Sequence, residues 1–141
     1  MTVSERATLF AALRAALEAA PGGWTVWKDL APAKTDYPYI VYFVAAASDT
    51  NTRQSARNPE YVVGVKAVHY DNEVAAAVAQ EIVSRLRNKG DQDVSSGYLW
   101  GSSDWRITTT QVEEHISLFE QINGQNVYSE GCYVRVTMQS A

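Results

Sequence analysis

Cysteine is nearly absent: Cys132 is the only one in 141 residues. A lone thiol excludes an internal disulfide and any zinc site built on paired thiolates. It stands within CYVRVTM, where the expectation is a small buried hydrophobe in a reducing compartment. Histidine is scarce as well. His69 and His115 lie far apart in the chain, and neither has a partner at ligand spacing, which speaks against a metal centre.

Long hydrophobic runs are missing too. YIVYFVAAA is about half of what a bilayer needs. ATLFAALRAALEAA is interrupted by Arg14 and Glu18, so it reads as an amphipathic helix and not as a signal segment. Positive charge is in deficit, with a net charge of -4. That argues against a general nucleic-acid binder, which is normally basic.

Signatures of catalysis are also lacking. No G-x-S-x-G, Walker loop or G-x-G-x-x-G occurs. VEEH (112–115) offers two carboxylates beside an imidazole, but neighbours in an extended strand face opposite ways, so Glu113 and Glu114 do not converge. It reads as a solvated strand end, with His115 opening a loop. SDW and GSSD are turn chemistry before they are nucleophiles. The expectation is a protein without enzymatic activity or cofactor.

What is present is ordinary globular composition, 46% hydrophobic and 20% charged, in a chain of single-domain length. Thr2 and Glu5 fit a capping box. Leu9, Leu13 and Leu17 then recur at four-residue spacing beside Phe10, Ala16 and Ala20, opposite Arg6, Arg14 and Glu18. This is a helix with one buried face, closed by PGG at 21–23. WTVWKDL (24–30) is a short strand or extended entry, followed by a bend with Pro32 and Pro38.

Residues 39–46 and 60–70 are rich in Val, Ile, Tyr and Phe and read as strands. In the second, Tyr61, Val63, Val65, Ala67 and His69 share a face, opposite Lys66 and Tyr70. Asp71 or Asn72 can cap a helix over 72–88, in which Val74, Val78, Ile82 and Leu86 make the stripe and Ala75, Ala79 and Val83 widen it. Two more strands are expected at 105–113 and 127–138. The order points to an α+β fold: an antiparallel sheet with two helices on one face, in the order α-β-β-β-α-β-β, with a long polar loop between the central strands.

That loop, residues 47–59, joins two strands that a turn of about two to five residues would connect. Arg53 and Arg57 in it outweigh Asp49, weak evidence for phosphate contact. A second long connection, 114–126, contains Phe119. Tyr98, Trp100 and Trp105 form either a satellite core or a partner surface, where such residues are enriched.

The run YPYIVYFVAAAS, the polar loop, and EYVVGVKAVHYDNEVAAAVAQEIVSRLR resemble the tail terminator (tail completion) proteins of long-tailed bacteriophages. The resemblance runs over nearly the whole chain and is strongest from Tyr37 to Arg87. It implies an α+β fold without enzymatic activity. It also implies a homo-oligomeric ring, a hexamer in the family, that closes the finished tail tube and faces the head–tail connector. The implied partners are the major tail tube protein and connector proteins, with DNA only passing through the lumen and no membrane. The implied location is the tail–neck junction of a virion, after synthesis in a bacterial cytoplasm. On that reading the long loops are assembly elements, with Asp49, Arg53, Arg57, Tyr98, Trp100 and Phe119 as interface candidates. A head–tail joining or minor tail protein is the nearest alternative. A cellular domain whose loops grip a ligand or peptide is the alternative of another class.

Overall fold

The computed structural model describes residues 5–18, 24–31, 38–51, 57–86 and 105–140. Its elements follow the expected order: α1 (Glu5–Glu18), β1 (Thr25–Lys28), β2 (Tyr39–Asn51), β3 (Arg57–His69), α2 (Asn72–Leu86), β4 (Trp105–Ile122) and β5 (Gln125–Ser140). The strands make one five-stranded sheet in the order β1-β2-β3-β5-β4. The sheet is mixed, which corrects the all-antiparallel expectation: β1 pairs parallel with β2, and the other pairs are antiparallel. No sequence period reports whether a neighbouring strand runs parallel or antiparallel.

Period-two alternation sorts the strands into two faces. One face carries Ile40, Tyr42, Tyr61, Val63, Val65, Ala67, Cys132, Val134 and Val136 into a single core. Leu9, Leu13, Ala16 and Leu17 of α1 join that core, as do Ile82, Val83 and Leu86 of α2. Both helices therefore lie on one face of the sheet. Cys132 is fully buried there, as a small hydrophobe should be.

The helices match their sequence pattern with one rotation. Asp71 caps α2: its Oδ1 accepts the Glu73 N–H at 2.9 Å, and its carbonyl accepts the Ala75 N–H at 3.0 Å. The buried positions are Ala75, Ala79, Ile82, Val83 and Leu86. Val74, expected in the stripe, is exposed, because the alanines let the helix turn its flatter side to the sheet. The Thr2 cap and the PGG stop lie outside the described residues, as does NKG at 88–90.

The larger correction concerns the two long connections. Residues 47–51 and 57–59 are not loop but ladder, with Ala47 opposite Tyr61, Asp49 opposite Pro59 and Asn51 opposite Arg57. Residues 114–126 are not loop either. β4 and β5 stay paired out to Ile122 and Gln125, and the turn between them is Asn123-Gly124, with φ of 53° and 77°. Two positive φ values in an Asn-Gly pair mark the type I′ hairpin turn, whose twist matches that of its strands.

The hairpins point opposite ways. β3 and β5 are paired from Glu60/Thr137 to His69/Tyr128. The β2–β3 hairpin continues beyond the first of these pairs, and the Asn123-Gly124 turn lies beyond the second.

Candidate assembly interface

Among the described residues, the helices cover one face of the sheet and no element covers the other, and this open face has its own order. Phe43, Gly64 and Tyr133 form a cross-strand row. The Phe43 ring lies over Gly64 and meets Tyr133 edge-on at 6.3 Å between centroids. Lys66 Nζ stands 5.8 Å from the Phe43 ring centre.

Nearby, Arg135 Nε donates to Glu113 and Nη1 donates to Glu60, so one guanidinium ties β3, β4 and β5 together. The hydrogen bond from Arg135 holds the Glu113 carboxyl below the usual carboxylate range. In return, the bonds to Glu113 and then Glu60 raise Arg135 above its ordinary value. VEEH is thus mid-strand, not a strand end, and His115 lies within β4. A bulge between Val112 and Glu114 turns Glu113 toward Arg135. The carboxylates do not converge on a reaction centre; Glu113 is spent on an ion pair.

On the helix side, at the Asn123-Gly124 end, aromatic rings cross the sheet. Trp24 stacks on His69 at 5.6 Å, His69 pairs in register with Tyr128, and Phe119 packs on Tyr128 at 5.3 Å. His69 Nδ1 accepts the Asp71 N–H at 2.8 Å, which joins this row to the α2 cap. At this end large apolar side chains are exposed on both faces of β4: Phe119 (58%) beside Tyr128, and Leu118 (49%) and Ile122 (42%) on the opposite face. Tyr70 and Val74 are exposed in the segment that runs from the end of β3 into α2. Apolar exposure at a strand end suits a contact surface.

Two open grooves flank the sheet. One, about 680 Å³, runs between α2 and the β4–β5 pair, floored by Ala76, Ala79 and Val83 with His115 and Glu130 opposite. The other, about 540 Å³, sits at the far edge, where Arg6, Phe10 and Lys28 face the backbone of Val44–Ala47. Among the described residues, no group of three or more His, Cys, Asp or Glu is placed to hold a metal ion, and no helix is long and apolar enough to cross a membrane.

The interface candidates named from sequence fare unevenly. Phe119 is on the apolar end, on a strand rather than in a loop. Asp49 and Arg57 are ladder positions in the β2–β3 hairpin. Arg53, Tyr98 and Trp100 lie outside the described residues. Trp105, grouped with the last two, packs part-buried against the main core. Leu118, Ile122, Lys28 and Glu130 were not singled out. For the first two a signal existed: three large apolar residues in the polar run SLFEQI, next to an Asn-Gly turn.

No family model matches the sequence, and no curated protein does. Among solved structures, the fold is shared end to end with a chain from the virion of a native gene transfer agent particle. The TM-score is 0.72 at 13% identity, over 98% of this chain and 99% of that one.

Proposed function

We propose that this chain is a structural protein of a phage-like virion, acting as a tail terminator. It closes the finished tail tube as a ring of identical copies and offers its outer surface to the head connector. The observation that supports the virion reading best is the full-length likeness to a chain of a gene transfer agent virion. The narrower role rests on the resemblance of residues 37–87 to terminator proteins. It also draws on a surface made for contact: two projecting hairpins, an apolar end, and an open sheet face. A ring protomer must touch its neighbours, the tube and the connector, and the two hairpin ends separate such contacts along the strands.

On this reading the chain has no catalytic role, and several of its titratable side chains have structural partners. Glu113 and Glu60 serve Arg135, and His69 serves the α2 cap. Deleting the gene in a phage that carries it should give tails of uncontrolled length and few infectious particles. Normal tails with failed head attachment would assign the chain to head–tail joining instead. Normal particles lacking nothing would end the virion reading.

A further inference from the structure

We infer that copies of this chain join edge to edge, with the outer edge of β4 in one copy continuing the sheet along the uncovered part of β2 in the next. The inference deepens the ring reading and rests on it for closure; the edge contact is a property of the chain alone.

The first observation is a missing stretch of strand. β1 covers β2 only from Tyr39 to Tyr42. At Asp29 the chain leaves the edge with φ of 67°, its N–H still bonded to the Tyr42 carbonyl at 2.7 Å. Among the described residues, β2 from Val44 onward pairs only on its β3 side. The groove of about 540 Å³ lies there, closed below by Lys28 and Asp29 and flanked by Arg6 and Phe10. Ala45, Ala46, Ala47 and Ser48 are exposed. No large side chain on this stretch blocks the approach of another backbone.

The opposite edge supplies a strand. Among the described residues, β4 pairs only with β5 along its whole length. It has no proline and only one Lys or Arg, Arg106, so two common guards against edge pairing are lacking. Directions agree as well. β2, β3, β5 and β4 alternate, so β4 runs antiparallel to the β2 of a second copy in the same orientation. Such a contact joins different patches of the two copies, as a ring requires.

Heights agree with this docking. Gln111, Arg135, Val62 and Ala46 form one cross-sheet row, so Gln111 and Ala46 end it at the two edges. His115 and Lys28 end another row through Cys132, Val65 and Tyr42. β1 stands one strand beyond β2 below that height, and β4 has its bulge between Val112 and Glu114 just above it. The bulge lets the lower half of β4 turn aside from the neighbour's β1.

Cysteine pairing tests this directly, since native Cys132 is fully buried. Ala46→Cys and Gln111→Cys proteins are prepared separately, concentrated, and oxidised alone or mixed. A disulfide-linked dimer is expected only in the mixture. The double variant should give a ladder of multiples in solution, or a closed set in assembled particles. Self-linking of Gln111→Cys would show an isologous β4–β4 contact and overturn the inference. So would the absence of linking in both solution and particles. Particles that hold the chain as a ring without links would overturn the edge contact and leave the virion reading standing. Links formed in solution by a chain absent from particles would do the reverse.

Discussion

The Phe43 ring lies flat on Gly64, so close that a Cβ on the glycine would stand 2.3 Å from Phe43 Cζ. The ring takes the place of the side chain that the glycine lacks, and closes the open face between β2 and β5. Gly64→Ala should therefore lower stability by about 1–3 kcal/mol. Because the obstacle is a side chain, Phe43→Ala in the same protein should remove much of that loss. Additive losses in the double-mutant cycle would show that the ring is not the cause.

Gly131 gives a contrasting case. A Cβ there would meet the Val65 carbonyl oxygen at 1.7 Å, and backbone cannot be trimmed. Gly131→Ala should cost more than Gly64→Ala in urea denaturation. A smaller loss at Gly131 would mean the β3–β5 ladder yields easily at that point.

Replacing Ile82 tests the sheet-facing side of α2. Ile82 is fully buried and Gln80 is exposed. Ile82→Asp should abolish folding, since an unpaired buried carboxylate costs several kcal/mol against a total stability of about 5–15 kcal/mol. Gln80→Asp should melt close to the parent protein. Matching melts for the two variants would contradict the face assignment.

Acid should weaken the open face through Arg135. Glu113 is held below its ordinary value of 4.5 by the Arg135 hydrogen bond. A lowered carboxyl contributes stability that is complete above the ordinary value and is lost as pH falls through the lowered one. The urea midpoint of the parent protein should thus fall more steeply below pH 4.5 than that of Arg135→Gln. Parallel pH profiles would show that the ion pair contributes nothing in solution.

The β2–β3 hairpin should matter for assembly more than for folding. Joining Ser48 to Glu60, which are register partners, through Asn-Gly removes its projecting end. Loop length affects closure entropy only weakly, so the thermal melt should shift little while tail completion in a complementation assay is lost. Full infectivity would make the hairpin a passive insertion.

The legible parts of this fold are those with one buried face. Leu9, Leu13 and Leu17 in α1, Ile82 and Leu86 in α2, and alternating Tyr61–Ala67 in β3 each bury a repeating stripe, and a stripe is what a period detects. The hairpin ends were illegible for the converse reason. Residues 47–51 and 57–59 lie beyond the last β3–β5 pair, and their mostly polar side chains carry no apolar alternation. β4 beyond Val112 is an edge strand with mostly exposed side chains, so SLFEQI looks like a loop. Asn123-Gly124 is a hairpin signal only when strands flank it, and the residues before it lack the alternation of a strand. The apolar end escaped for a related reason. Tyr70 and Val74 belong to the segment between β3 and α2 and its first turn, and Phe119 and Ile122 to β4, so no single stretch of sequence shows their exposure together.

The opposed hairpins have a mechanical consequence. Partners gripping the two tips would pull on β3 and β5 from opposite ends of their shared ladder, Glu60/Thr137 to His69/Tyr128. Such tension runs along the strands and across the hydrogen bonds, so the whole ladder resists in parallel instead of opening one rung at a time. Load between the tips is then carried by the central, best-buried strand pair, and the domain behaves as a tie rod rather than a hinge.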